Sequence, residues 1–359
     1  MPAKVRAAAA RRYRCLMRKS FAEITTMRVG GDASDYVAAE HSQDVVSAVR
    51  EADDVGMPVL VVGDGSNLVV GDCGFDGRVV AVKTSGLEFD SDGAVHVDAG
   101  VTWDSLVEMT LAEGLGGLEA LSGVPGSTGG TPVQNVGAYG ALVSTFLSGV
   151  TVWDRESART REIAVADCGF GSHRTSIFKG SDRFVILRVH FRLPRTRQSQ
   201  PVGYSGLATR LGVQVGDQVS TEDVRKAVLE LRRERGMVLD ADDPDTWSVG
   251  SFFVNPVVET VPEQAAGCPT YDDVAGTKLP AAWLIHQAGF APGYGADWGR
   301  GTVRLSTKHA LAVTNRGGAT TSEIMAFAAH VRGGVEDRFG IRLGPECDLV
   351  NCSFDDASR

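Results

Sequence analysis

Between Leu115 and Gly140 the chain places glycine at positions 116, 117, 123, 126, 129, 130, 137 and 140. Each glycine inside a helix or strand costs roughly 0.5–1 kcal/mol against alanine. No regular element of ordinary length can therefore occupy this stretch. What it can form is a tight loop whose bare backbone N–H groups turn toward a phosphate or a ring edge. A flexible linker is the alternative, but Val124, Pro125, Pro132, Val133, Val136 and Tyr139 are poor linker residues. A second glycine loop, Gly63-Asp-Gly-Ser-Asn67, follows Pro58-Val-Leu-Val-Val62, which reads as a short buried strand. The spacing is neither G-x-G-x-x-G opening a long helix nor a lysine-bearing Walker loop. Two such loops together point to one extended cofactor lying across two segments.

The elements around these loops read as a small α+β unit. Strands are expected at Asp35 to Glu40, Arg78 to Lys83 and Ala94 to Asp98, the last entered through an Asp92-Gly93 turn. Ser42 to Val55 has Val45, Val46, Val49 and Ala52 on one helical face, with Ser42 as its cap. Trp103 to Glu113 gathers Trp103, Leu106, Val107, Thr110 and Leu111 on another, and Gly114 stops it. Val150 to Asp154 and Phe184 to Leu193 read as strands. Alternation in the second turns His190 outward. Pro194 to Pro201 is polar between two prolines and reads as a domain link. Beyond it come a helix at Thr221 to Arg235, an acidic loop at 237–248, helices at Pro280 to Ala288 and Thr320 to Phe339, and a strand at Ala310 to Thr314.

Charge and cysteine content narrow the function. A net charge of −9 opposes a general nucleic-acid binder but leaves room for a local basic pocket. Residues 1–20 hold seven Lys/Arg and no acid, and read as a basic arm; the apolar run at Ala7 to Ala10 is too short for a signal peptide. No 18-residue apolar run exists to span a membrane. The six cysteines show no C-x-x-C pair and no zinc spacing, so no metal is expected, and a reducing cytoplasm is the simpler reading even for the neighbours Cys347 and Cys352.

The first loop, followed by Pro125-Gly-Ser-Thr-Gly-Gly-Thr-Pro-Val-Gln-Asn-Val-Gly-Ala-Tyr-Gly140, resembles the UDP-N-acetylenolpyruvoylglucosamine reductase family of peptidoglycan synthesis. The likeness runs from about Thr25 to Val350. It includes Thr26-Met-Arg-Val-Gly-Gly31, Gly250-Ser-Phe-Phe-Val-Asn-Pro256 and Leu343-Gly-Pro-Glu346. The resemblance implies an α+β chain in which a two-part FAD-binding domain of the PCMH/vanillyl-alcohol-oxidase type precedes a C-terminal α/β substrate-binding domain. The arm would be 1–20 and the FAD domain 21–200, with subdomains at about 21–84 and 85–200. Residues 340–359 would complete the first subdomain, and 215–339 would form the substrate domain. It also implies non-covalent FAD, NADPH as reductant, UDP-N-acetylglucosamine-enolpyruvate as substrate, and a monomer with no nucleic-acid partner.

Residue by residue, the likeness assigns cofactor contacts to Gly63, Gly65, Ser66, Asn67, Gly126, Gly129, Gly130, Asn135, Gly137, Ala138 and Gly140. It makes Ser251 the proton donor, with Arg174 and Glu346 as its catalytic partners; a protonated Glu346 could hydrogen-bond a developing enediolate. Tyr204, Arg235, Asn255 and His309 fall at substrate positions, with Lys278 and Lys308 as weaker candidates. Two departures stand out. The segment before Arg174 is one residue longer than in many relatives and carries His173 in place of tyrosine, and Arg235 stands where some relatives have lysine. Two other function classes compete on the residues alone. A flavin oxidase could share the FAD fold, and a nucleotide-sugar-binding module could share the loops. The Gly250-Ser-Phe-Phe-Val-Asn-Pro256 segment and the distinct last domain argue against the oxidase, and the intact Arg174, Ser251 and Glu346 argue against the module.

Overall fold

The computed structural model describes residues 18–171 and 175–354. Most of the expected basic arm therefore lies outside the described residues, and so does Arg174.

The first half holds two sheets. In one, Asp32–Ala39 and Val59–Val62 flank Phe75–Val82 as parallel partners, and Lys19–Ser20 adds an antiparallel edge. The helix Ser42–Asp53 connects two of these strands and buries Val45, Val46, Ala48, Val49 and Ala52. Its N-cap is His41, not Ser42, and no side chain closes that end. The other sheet is antiparallel, in the order Arg159–Ala164, Leu147–Asp154, Phe184–Arg192, Ala94–Asp98 and Leu87–Phe89. Trp103–Ala112 lays Trp103, Leu106, Val107, Thr110 and Leu111 into the core beside it. The strand Phe184–Arg192 is buried on both faces rather than one. His190 is accordingly not an outward residue: it is 9% exposed, bonded to His96 Nδ1 (2.7 Å) and Thr151 Oγ1 (2.7 Å). Simple alternation fails wherever a second layer covers the sheet.

The second half has its own core around Phe252, Phe253, Leu284, Ile285, Phe327 and Val331, built on Ala281–Gln287, Thr321–Phe339 and the hairpin Val303–Leu305/Val313–Asn315. Met27, Val29 and Val69 from the first half join that core. The motif around Thr26 is the clasp between the halves. Thr26 Oγ1 donates to Ser248 O (2.7 Å), Asn315 Nδ2 donates to Met27 O (3.1 Å) and Arg28 O (3.0 Å), and the Arg28 guanidinium lies 3.9 Å over Trp247. The chain end closes the arrangement, because Asp348–Val350 pairs in parallel with Leu68–Val70.

The helix Thr221–Glu234 buries Val224, Ala227 and Val228 against the first half, not the second. Asp104 holds it there: one carboxylate accepts from Arg225 (2.6 and 3.0 Å) and from Gly123 N–H (2.6 Å). The polar stretch Pro194 to Pro201 runs sewn to its neighbours, with Ser199 buried and bridges from Arg195 to Leu115 and from Gln198 to Ser220. No helix of the described residues is long and apolar enough to cross a membrane.

Candidate active site

The two glycine loops interlock. Ser66 Oγ donates to Pro125 O (3.1 Å). Each loop also lacks the side chain that would keep the other away. A Cβ on Gly63 would collide with Ser127 Oγ, and one on Gly126 would lie 2.6 Å from Ser66 Oγ. Gly126 sits at φ +120°, backbone that L residues rarely adopt. Behind the second loop, Thr128 N–H donates to Val101 O (2.8 Å) and Gly129 N–H to Ala99 O (2.8 Å), which fixes the loop against the connection that leads into Trp103–Ala112.

In front of the loops opens a cleft of about 520 Å³. That volume is of the size that encloses a drug-sized or cofactor-sized ligand. Gly63, Gly65, Ser66, Asn67, Gly126, Gly130, Gly137 and Ala138 line it. A Cβ on Gly130 would meet nothing within 4 Å, so backbone there is open to a guest. The buried amide nitrogen of Asn67 reaches no protein acceptor at hydrogen-bond geometry, although it lies near enough to Asp348 to offset part of the rise that burial imposes on that carboxyl's pKa. A bare cradle with a donor to spare fits the phosphate and ring system of FAD.

The other three expected cofactor residues do not line the cleft. Gly129 lacks a side chain because Ala99 Cβ would lie 2.6 Å from it. Asn135 is buried in left-handed backbone (φ 40°) that ends the short helix Gly130–Gln134, and its Oδ1 accepts from Ser144 N–H (3.3 Å). Gly140 faces Gly203, whose Cα would stand 3.0 Å from an added Cβ. These residues shape the loop from behind.

The opposite wall carries Ser251 and Glu346. Their segments run antiparallel: Glu346 N–H donates to Phe252 O (2.8 Å), Val254 N–H donates to Gly344 O (3.0 Å), and Phe253 bridges Pro345. Phe252 and Phe253 anchor the serine segment in the second core, 0% and 1% exposed. The fold thus brings both residues to one wall with their backbones locked. Arg174 lies outside the described residues. The segment that follows it is tethered to the second glycine loop by Ser176 Oγ to Val133 O (2.8 Å) and Lys179 Nζ to Gln134 Oε1 (2.8 Å).

The expected substrate residues divide. Asn255 lines the cleft while its Oδ1 accepts from Ala281 N–H (2.9 Å). Tyr204 is outside the lining, 37% exposed, with its ring edge-on to Tyr139 at 5.6 Å. Arg235 caps the end of the helix Thr221–Glu234, and its charge reaches both Tyr139 and His309. Burial, helped by Arg235, pushes the His309 pKa down to about 4. His309 is therefore a neutral imidazole at neutral pH, able to donate one hydrogen bond but not to add charge. Lys278 and Lys308 are each paired, with Asp273 (2.6 Å) and Asp243 (2.5 Å).

Arg232 is a cleft residue that sequence reasoning passed over in favour of Arg235. Its Nε donates to Gly123 O (3.1 Å) and its Nη2 to Met237 O (2.8 Å), both neutral acceptors, so the cation remains available to an anion. The signal was there: Arg232 falls four residues after buried Val228 and eight after buried Val224, on the inward face of its helix.

Two family models match the chain. Residues 33–163 match an FAD binding domain, and residues 242–350 match the C-terminal domain of UDP-N-acetylenolpyruvoylglucosamine reductase. A relative described as UDP-N-acetylenolpyruvoylglucosamine reductase from Salinispora arenicola is 51% identical, covering 92% of this chain and 94% of that protein. One of the same description from Saccharopolyspora erythraea is 49% identical over 93% and 95%. Among solved structures, the reductase of that name from Thermus caldophilus superposes with a TM-score of 0.63 at 23% identity, covering 93% of this chain and 98% of that one.

Proposed function

The chain belongs to the UDP-N-acetylenolpyruvoylglucosamine reductase family, and from that premise we propose that Ser251, Glu346 and Arg174 carry its chemistry in the cleft between the two halves. The reaction is the FAD-dependent, NADPH-driven reduction of UDP-N-acetylglucosamine-enolpyruvate to UDP-N-acetylmuramate, a peptidoglycan precursor. Bound in this cleft, FAD would supply the hydride chemistry between NADPH and the enolpyruvyl double bond.

The protein's own residues do the rest. Gly63, Gly65, Ser66, Asn67 and Gly126 present backbone and short polar groups to the cofactor pyrophosphate. Arg232 offers a guanidinium to the same anionic region. As hydride arrives at the carbon beta to the substrate carboxylate, negative charge grows on that carboxylate. A protonated Glu346 and Arg174 would stabilise it as hydrogen-bond donors, and donors organised before the step are where such sites gain most. The Ser251 hydroxyl then gives its proton to the alpha carbon. Tyr204, Arg235, Asn255 and neutral His309 hold the UDP portion. The observation that carries the reading is the locked antiparallel pairing of the Ser251 and Glu346 segments, which presents both side chains to one cleft facing the glycine loops. The cytoplasmic reading is supported by the cysteine content and the nucleotide-sugar substrate, and the monomer by the family likeness alone. Sedimentation at the mass of one chain supports it, and a stable dimer overturns it.

The test separates the half-reactions. Under anaerobic conditions NADPH bleaches the flavin absorbance, and the enolpyruvyl UDP-sugar restores it. In Ser251→Ala the NADPH half keeps close to the normal rate, while the sugar half falls by about 10²–10⁴-fold, the usual loss for a general acid. Ser251→Cys recovers part of that loss. Normal reoxidation of Ser251→Ala by the sugar would remove the serine from the mechanism.

A further inference from the structure

Glu346 is not the only acid on its wall of the cleft. Asp348 follows two residues later and also lines it, as the two-residue side-chain period of extended chain requires. Its backbone is as firmly held as that of Glu346. Asp348 N–H donates to Asn67 O (2.9 Å), and Asp348–Val350 pairs with Leu68–Val70. Its carboxylate meets a chain of polar groups crossing from the other side. Gln134 Nε2 donates to Asp348 Oδ2 (3.4 Å), and Lys179 Nζ donates to Gln134 Oε1 (2.8 Å). The order cation, amide, carboxylate allows one orientation of the amide only. Lysine is a pure donor and claims the carbonyl oxygen, so the NH₂ must face the acid.

The three groups come from three separate parts of the chain. Gln134 ends the short helix of the second glycine loop, Lys179 belongs to the segment that continues from Arg174, and Asp348 belongs to the strand that continues from Glu346. Ser176 Oγ, bonded to Val133 O, adds a second tether between the first two.

We propose that Asp348 is a positioning residue for the reduction: through Gln134 it draws the Lys179 segment and the strand of Glu346 to the cofactor loop and sets their mutual distance across the cleft. Asp348 is exposed, and an exposed hydrogen bond contributes little to stability. Catalytic geometry is less forgiving, since a displacement of about 1 Å can cost about 10²-fold in rate. Activity and stability should therefore respond unequally. The proposal rests on the assignment of Glu346 and Ser251 to the reaction, and the variants below fail separately from that assignment.

The experiment uses the FAD-loaded enzyme and measures flavin content, Tm, and kcat and KM with the enolpyruvyl UDP-sugar. Asp348→Ala and Lys179→Met are each expected to lower kcat by about 10-fold or more, with flavin content unchanged and Tm shifted by no more than a few degrees. The double variant should be no slower than the worse single one, because both break the same chain. Gln134→Glu sets two carboxylates against each other and is expected to be the slowest. Adding Asp348→Asn to it restores donor to acceptor, with lysine and the new amide both facing the glutamate, and should return most of the lost kcat. A merely structural role would make kcat follow Tm. Wild-type kcat in Asp348→Ala, additive losses in the double variant, or failure of the Gln134→Glu/Asp348→Asn pair to recover would each overturn the proposal. Ser251→Ala run alongside keeps the two readings apart: full activity there sinks the site assignment, whereas full activity in Asp348→Ala sinks only the relay.

Discussion

Replacing Gly126 by alanine tests the interlocked loops most directly. The added Cβ would lie 2.6 Å from Ser66 Oγ, against 3.4 Å or more for ordinary contact. The serine must swing away, and its bond to Pro125 O is lost, at about 0.5–1.5 kcal/mol. A non-glycine residue at φ +120° adds roughly 1–3 kcal/mol of backbone strain. Together these come to about 2–4 kcal/mol, charged to the one arrangement in which both loops face the cofactor. At about 1.4 kcal/mol per tenfold, FAD affinity should fall by roughly 30- to 1000-fold. The assay is FAD titration of the apoprotein by fluorescence quenching, with Tm of the apoprotein beside it. Ser66→Ala combined with Gly126→Ala removes the collision but not the strain, and should recover only part of the affinity. Gly130→Val is the counterpart. A Cβ there meets no neighbour within 4 Å and Gly130 lines the cleft, so apoprotein Tm should hold while FAD binding weakens. Gly129→Val would not test the cofactor face, because its side chain runs into Ala99. A Gly126→Ala protein that binds FAD with wild-type affinity would refute the account of the loops, and a Gly130→Val protein that does so would refute the cofactor's place against that helix.

Two further expectations concern stability. His309 and His190 are held neutral by burial, the first with its pKa pushed down to about 4. A base with a depressed folded pKa leaves the unfolded chain as the better proton acceptor, so stability is complete above the unfolded value of 6.5 and is lost as pH falls toward the folded value. For His309 the gap between 6.5 and about 4 is worth roughly 3 kcal/mol at full extent; melts at pH 7.5 and pH 5 should show the loss and His309→Gln should reduce it, and equal slopes in both proteins would refute it. Asp72 reaches from the first half to the start of Thr321–Phe339, accepting from Thr321 N–H (2.7 Å), Ser322 N–H (2.9 Å) and Ser322 Oγ (2.6 Å), bonds that outweigh desolvation and hold its carboxyl below the usual range. Asp72→Ala should cost about 1–2 kcal/mol in urea unfolding, as for a lost helix cap, and no change in midpoint would show the clasp to be idle.

The sequence disclosed most where one residue type answers one local demand. The helix Trp103–Ala112 was legible because Trp103, Leu106, Val107 and Leu111, with Thr110 among them, recur at helical spacing, and all five are buried. The glycine loops were legible because so many glycines exclude everything else. What each glycine faces was not. Gly126 and Gly129 are alike in sequence, yet one yields to Ser66 at the cleft and the other to Ala99 behind it, and that difference is set by partners remote along the chain. The same limit explains His190. The period of two in its strand is real, but whether the second face meets water depends on what is packed over it. It explains the polar link at Pro194 to Pro201 too, where composition suggests a free connector and long-range bridges make it part of the wall under Thr221–Glu234. Arg232 and Arg235 show where the line falls. Both are arginines at one helix end, and likeness to relatives favoured the second. Only the helical register, read back from Val224 and Val228, sends Arg232 inward to carbonyl partners and a cleft while Arg235 stays exposed. The Asp104 carboxylate already acts on this inward cation from within the chain, and because the guanidinium's own hydrogen bonds go to neutral carbonyls, it remains able to meet an anion that enters the cleft.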